Sequence, residues 1–367
     1  MTKRFPTFCL LISLLMGLPL FAQDESPNVS SSWSPKDSLQ AMLLTSRAVR
    51  QAIESIQPSL VTIESFGGVS VVQGRIGGIR KQGEGNTTGI IVSPEGHIVT
   101  STFNFIQLPP VITVITSDGT RHVAEMLGRD DTRKICMLKI NANRAFPLPE
   151  TVPVDQVEVG QWAISLGVGY GDANPAASVG IISAKNRVGG RAIQTDANIS
   201  PANYGGPLLD IRGRLLGVCV PMNPQSQAVG AGVEWYDSGI GFAIPLAGAD
   251  DLLNSLKKGK RVYPAYLGIL AMPNPEGAGV WIEKVVEGSP AAKAGIRPKD
   301  VIVAIDEVDV RDMMQLKRIL NRQQAGAQIK LKLVPAEQTE PKILSLTLDR
   351  PPPPKGAPEP LEVPRIR

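Results

Sequence analysis

The chain is poor in histidine, cysteine and aromatic side chains, and it carries no strong charge of either sign. Only two of its 367 residues are histidine, His97 and His122. Both stand in or beside strand-like stretches and are expected at the surface, away from any reaction centre. The three cysteines lie far apart: Cys9 in the first apolar run, Cys136 in Ile135-Cys136-Met137-Leu138, Cys219 in Gly217-Val218-Cys219-Val220. The last two runs predict buried free thiols. Whether Cys136 and Cys219 pair is left open, since a bridge needs a closeness that sequence does not show. No His/Cys cluster has metal-ligand spacing, and no Gly-rich phosphate loop stands next to a helix, so neither a metal nor a cofactor is expected. A net charge of +4 offers no concentrated basic face for nucleic acid. Beyond Ala22 no run is long and apolar enough to cross a membrane.

Glycine (36) and proline (31) are plentiful instead, which suits many short strands joined by turns. Residues 1–22 read as an export signal: Lys3 and Arg4, the apolar run Phe8 to Leu20, then the small Ala22. The segment 23–57 begins polar and then turns helical. Ser34 is the expected cap, Pro35 the first helical residue, and Asp37 sits where the helix dipole favours an anion; Pro58 ends the pattern. Strands are predicted at Leu60–Ser65, Thr88–Ser93, His97–Thr100, Val111–Thr116 and Met137–Ile140. A second group covers Trp162–Leu166, Ala177–Ser183, Ala192–Thr195, Leu215–Val220 and Ile240–Ile244. The Gly-rich stretch Gly67 to Asn86 reads as a long exposed loop.

Several segments together resemble trypsin-like serine proteases of the HtrA/DegP type. Thr88-Gly89-Ile90-Ile91-Val92-Ser93-Pro94-Glu95-Gly96-His97-Ile98-Val99-Thr100 is similar to the family's G-S-G-V-I-I-S-x-D-G-Y-I-L-T. Ser178 to Ala184 resembles T-V-G-I-V-S-A, and Ile193 to Ala197 resembles I-Q-T-D-A. Ser200-Pro201-Ala202-Asn203-Tyr204-Gly205-Gly206-Pro207-Leu208 resembles the nucleophile loop N-P-G-N-S-G-G-P-L. Gly239 to Pro245 matches G-I-G-F-A-I-P throughout. The resemblance runs from about Ile53 to Leu348. It implies a mainly β fold: two six-stranded β-barrels over residues 58–250, with a cleft between them, then a PDZ domain over 260–350.

The family's chemistry needs a serine nucleophile, a histidine to take its proton and an aspartate to orient that histidine. The matching positions here hold Tyr204, Phe103 and Lys134, and the oxyanion-loop glycine falls on Ala202. A phenyl ring accepts no proton, a lysine cannot orient an imidazole, and a phenol has an unperturbed pKa of about 10. The expectation is therefore a degenerate triad, no catalytic residue, and a chain that is not an enzyme. Tyr204 and Phe103 are expected to fill the cleft while Lys134 reaches solvent or a carboxylate. A Lys134–Tyr204 pair with an activated phenol is the chemical alternative.

In the C-terminal part, Tyr266-Leu267-Gly268-Ile269 resembles the carboxylate-binding loop of PDZ domains in this family. Gly279 to Ile282 and Asp300 to Ile305 read as strands. Ser289-Pro290 starts a short helix that Gly295 ends, and Met313, Leu316, Ile319 and Leu320 mark one face of a later helix. The resemblance implies binding of a peptide C-terminus as an added strand at Tyr266, Leu267, Gly268 and Ile269. Residues 351–367 form a proline-rich tail, expected to be extended or disordered. The function expected is that of an exported, periplasmic or envelope-located pseudoprotease. It would bind unfolded or C-terminal protein segments as scaffold, holder or regulator, as a homotrimer or mixed with an active relative. The alternatives are an active HtrA-class endopeptidase in protein quality control and a structural envelope protein.

Overall fold

The structure is a computed structural model. It describes residues 35–66, 85–105, 109–169, 174–223 and 238–352, apart from 337 and 339. The expected export signal, the cap at Ser34, the stretch 67–84 and the tail from residue 353 lie outside the described residues. The helix α1 (Pro35–Ile56) carries Asp37 in its first turn, as its sequence predicts.

Two closed barrels follow. The first is built from β1 (Leu60–Phe66), β2 (Gly85–Ile91), β3 (His97–Ser101), β4 (Val111–Ile115), β5 (Arg121–Asp130) and β6 (Ile135–Ile140). Its strands run in the order β5-β4-β1-β2-β3-β6, and a β5–β6 pairing closes the ring. The second comprises β7 (Trp162–Gly167), β8 (Ala176–Asn186), β9 (Ala192–Thr195), β10 (Pro207–Leu209), β11 (Leu215–Val220) and β12 (Gly241–Ile244). Its order is β10-β11-β12-β9-β8-β7. The helical turn α2 (Arg187–Gly190) joins β8 to β9.

Strand period explains why these segments read as unbroken apolar runs. Successive side chains point to opposite faces. In β6, Cys136, Leu138 and Ile140 fill the first barrel, while Ile135 and Met137 face a second core. β2 and β3 divide in the same way: Ile91 and Ile98 point inward, Ile90 and Val99 outward. That outward core also takes Ile164, Leu166, Val218 and Phe242 from the second barrel, and Ala52 and Ile56 from α1. The barrels are thus fused through apolar faces, each buried Ile or Leu contributing about 1.5–3 kcal/mol.

After α3 (Asp250–Lys257), the chain adds β13 (Arg261–Val262) to the first barrel, parallel to Arg129–Asp130. The C-terminal module holds β14 (Ile269–Pro273), β15 (Val280–Val285), β16 (Val301–Ile305), β17 (Val308–Asp309), β18 (Gln328–Val334) and β19 (Lys342–Thr347). Its helices are α4 (Pro290–Lys293) and α5 (Met313–Arg322). The sheet runs β14-β15-β16-β18-β19, with β17 on β16. Ser289 caps α4 as expected, its Oγ accepting from the Ala292 amide at 3.2 Å. Strands β5, β10, β18 and β19 and helix α3 were not among the expected elements. β18 carries a legible signal, with Ile329, Leu331 and Leu333 buried between exposed Gln328, Lys330 and Lys332.

Candidate functional site

The loop Ser200–Gly206 lies between β9 and β10 and is folded by its own backbone. The Asn203 amide donates to Ser200 O (2.9 Å), Tyr204 to Pro201 O (3.4 Å) and Gly206 to Asn203 O (2.8 Å). Gly205 is needed for two reasons. Its φ is +90°, and a Cβ there would run into Thr100 Oγ1 and the Thr88 carbonyl of the first barrel. The loop is therefore pressed against β2 and β3. The Thr88 hydroxyl donates to Ala202 O (2.7 Å) and accepts from the Val168 amide (2.9 Å). Asn104 Nδ2 donates to Tyr204 O and to Thr100 Oγ1, both at 3.1 Å.

Phe103 sits in a 3-10 turn, Thr102–Phe105, directly after β3. Its ring meets Tyr204 edge to face, with centroids 5.2 Å apart and planes at 79°. Phe103 is 5% exposed and Tyr204 2%, and both belong to the core of the second barrel with Ile199, Leu208 and Cys219. The aromatic pair is thus part of the packed core of the second barrel. Beside it, a cavity of only about 10 Å³ is lined by Ile199, Tyr204, Val220, Met222 and Phe242 among others. That is about the space one water needs.

Lys134 is buried, 4% exposed, which leaves the carboxylate of its two expected surroundings, and Asp131 is near enough to act on its charge. Its φ is +60°, a left-handed conformation in the turn between β5 and β6. Its carbonyl accepts from the Thr102 amide (2.9 Å) and from Ser101 Oγ (3.2 Å). Burial pushes its pKa below the usual lysine value, opposed by Asp131 and assisted by Arg129. Phe103, Lys134 and Tyr204 all belong to the segments that meet at the cleft, and Ala202 lies in the same loop. Asn104 and Thr88 were not predicted. The available signal for Asn104 was a polar residue between Phe103 and Phe105, all three buried.

His97 is partly buried in its hairpin, with Nδ1 2.6 Å from Ser93 Oγ. Burial lowers its pKa, helped by Lys257 and Lys139 and opposed by Glu95. His122 corrects the expectation of a plain surface residue. It pairs with buried Val114, and its Nε2 is buried without a hydrogen-bond partner. Cys136 and Cys219 are free and buried; burial pushes the Cys136 thiol up to about 12 and raises that of Cys219 as well.

In the C-terminal module, Tyr266 exchanges backbone hydrogen bonds with Asp349, at 2.8 and 3.1 Å. Leu267 is buried and packs into the module core with half-buried Ile269. Gly268 has φ +84°, and a Cβ there would strike Ser289. The Leu267 carbonyl accepts from Ala291 (3.0 Å), and that of Gly268 accepts from Val286 (2.9 Å) and Ser289 Oγ (3.3 Å). In a planar trans peptide the amide points opposite to the preceding carbonyl. The Gly268 and Ile269 amides therefore face away from α4, at the head of β14. Among the described residues β14 pairs with β15 alone, α5 packs beside it, and Leu270 and Met272 are exposed along it.

Comparison with known proteins bears on both parts. A trypsin-like peptidase domain model matches residues 87–218, and a PDZ domain model matches 281–335. A probable periplasmic serine endoprotease, DegP-like, of Chlamydia trachomatis is 35% identical over 263 residues, 67% of this chain and 51% of that protein. The chain thus spans about half the length of that relative. The serine endoprotease DegS of Haemophilus influenzae is 33% identical over 240 residues, 62% of this chain and 68% of that protein. The solved HtrA-type protease AlgW with a tripeptide is 25% identical, with a TM-score of 0.62, covering 84% of this chain and 99% of that one.

These relatives correct the expectation that the chain is not an enzyme. They are named as serine endoproteases, and that kinship points to protease activity. With both domain models matched in order and DegS covered over two thirds of its length, the chain belongs to the HtrA/DegP-type family of trypsin-like serine proteases carrying a PDZ domain.

Proposed function

We propose that this chain is an exported HtrA-type protein whose PDZ groove captures unfolded or C-terminally exposed protein segments. It serves as a scaffold, a chaperone-like holder or a regulator, as a homotrimer or in mixed assembly with a relative. The observation that carries the reading is the head of β14. Two amides, those of Gly268 and Ile269, are turned away from α4 by the bonds their neighbouring carbonyls make. They head a strand that, among the described residues, is paired on one edge only, with a helix beside it. That arrangement suits a terminal carboxylate followed by an added strand. Ile269 and Ala271 of β14 and Met313 and Leu320 of α5 are half-buried apolar residues, which suits an apolar final residue.

The test uses the full chain and ten-residue peptides ending in Val, Leu, Ile or Phe, followed by fluorescence anisotropy. Saturable binding lost on amidation of the peptide C-terminus is expected. Equal binding of the free and amidated forms, or none of either, overturns the reading.

Endopeptidase activity is the second reading, favoured by the names of the relatives. Two serine hydroxyls lie in these segments. Ser200 Oγ donates to Asn203 Oδ1 at 2.9 Å, and Ser101 Oγ to the Lys134 carbonyl. Incubation with an unfolded protein, read by mass spectrometry beside Tyr204→Ala, decides it. Fragments lost in Tyr204→Ala place the chemistry at this loop, and fragments from both proteins place it elsewhere. An absence of fragments above buffer removes the second reading.

A further inference from the structure

The helix α5 of the C-terminal module is held by residues of both barrels. The turn after β5 buries a carboxylate, Asp130, that is fully enclosed. Asp130 Oδ1 accepts from the Thr132 and Arg133 amides, both at 2.9 Å, and Oδ2 accepts from Arg133 Nη1 at 2.7 Å. This fixes the guanidinium, which is itself almost fully buried. Its other arm, Nη2, points across to the C-terminal module. It donates to the carbonyls of Asn321 (2.9 Å) and Arg322 (3.4 Å), the last turn of α5. A helix end leaves such carbonyls without partners and carries partial negative charge, so a fixed cation there is favoured.

A second tie lies beside the first. Arg191 Nη2 donates to Asn321 Oδ1 at 2.7 Å, and Asn321 Nδ2 donates to the Gly189 carbonyl at 2.8 Å. Gly189 lacks a Cβ where Asn321 would meet one, and Gly190 lies against Arg318 of α5. The C-terminal end of α5 is therefore gripped by three barrel residues, Arg133, Gly189 and Arg191, whose own positions are set by the barrel.

We propose that Arg133 is a positioning residue of the peptide groove although it lies outside the module that contains the groove. It sets the position of α5 against β14 and so the width of the slot between them. This rests on the reading of the β14–α5 slot as the peptide site. The site is then composite: the sheet edge comes from the C-terminal module, and the placement of its helical wall comes from the barrel.

The experiment compares the full chain with Arg133→Lys and Asn321→Ala. Arg133→Lys keeps the positive charge that Asp130 needs but loses the forked donor that reaches two carbonyls. Asn321→Ala removes the second tie and leaves Arg133 in place. Affinity for the free-carboxylate peptides is measured by anisotropy, and amide exchange of residues 313–323 by mass spectrometry. Each variant is expected to bind at least about fivefold more weakly, the lower end of ordinary coupling between sites. Faster exchange is expected in α5 while β18 stays protected. Wild-type protein that binds no peptide sinks the groove reading itself. Wild-type binding matched within twofold by both variants, with α5 exchange unchanged, overturns the role of Arg133 and leaves the groove reading intact. Weaker binding with exchange raised throughout the module also overturns it, because that reports loss of fold rather than loss of position.

Discussion

Removing the ring of Tyr204 tests the account of the cleft most directly. The ring is 2% exposed, sits in the core of the second barrel and meets Phe103 edge to face at 5.2 Å. Truncating a buried aromatic to alanine costs roughly 3–5 kcal/mol, through lost transfer energy and the cavity left behind. The upper half of that range applies here, because the adjoining cavity is only about 10 Å³ and the ring is enclosed by packed side chains. At about 2–4 °C per kcal/mol for a unit of this size, Tyr204→Ala lowers the barrel melting temperature by roughly 8–20 °C. Phe103→Ala falls in the same range. The double variant costs less than the sum by about 0.5–1.5 kcal/mol, the usual worth of an aromatic pair. Calorimetry on the full chain measures all three, and Tyr204→Phe is the control that keeps the ring. A Tyr204→Ala shift below about 2 °C, or single costs that add without remainder, refutes a packed aromatic pair at the cleft.

Gly205→Ala forces a Cβ against Thr100 and Thr88 at a φ of +90°, so a loss above about 3 kcal/mol is expected from the urea midpoint; an unchanged midpoint counts against the close approach. His97 has a pKa lowered below the ordinary histidine value, by burial first and then by Lys257 and Lys139. The unfolded chain then binds the extra proton more readily, so stability falls as pH drops through the range just below about 6.5. His97→Gln should flatten that part of the stability–pH curve, and a curve with undiminished slope rejects the assignment. Cys136 and Cys219 are free and fully enclosed. Neither should react with a water-soluble disulfide reagent in the native state, and both should react at once in guanidinium; rapid native reaction of either contradicts its burial.

Much of the fold could be read where a motif carries its own physics. The Ser289-Pro290 start of α4 is a cap, and the structure shows the Ser289 hydroxyl accepting from Ala292. The apolar runs at Ile135–Leu138 and Gly217–Val220 became strands buried on both faces, which is why they lack alternation. β5 was harder to read. Its burial is irregular and its register shifts between Met126 and Arg129, so no two-residue period marks it. The meeting of Phe103 with Tyr204 follows from the family order of segments. The burial of Lys134 does not, because its left-handed backbone and the two donors on its carbonyl come from a turn that folds back on β3. Arg133 and Asn321 are 188 positions apart. No local pattern joins them, and only the docking of two domains makes them neighbours.

The short strand β13 changes what kind of linker joins the barrels to the module. Arg261–Val262 lies in the first barrel's sheet, Arg261 Nη2 reaches Asp131 at 2.6 Å, and Ala325 donates to Tyr263 O at 3.0 Å. A free tether of similar length would let the module sample a volume, and its effective concentration at any point would depend on chain statistics. A stitched linker has no such freedom. A segment held at β14, as proposed above, would be presented along one direction and at one distance from the barrels. Lengthening the linker would then scatter that presentation, whereas in a tethered pair it would only dilute it.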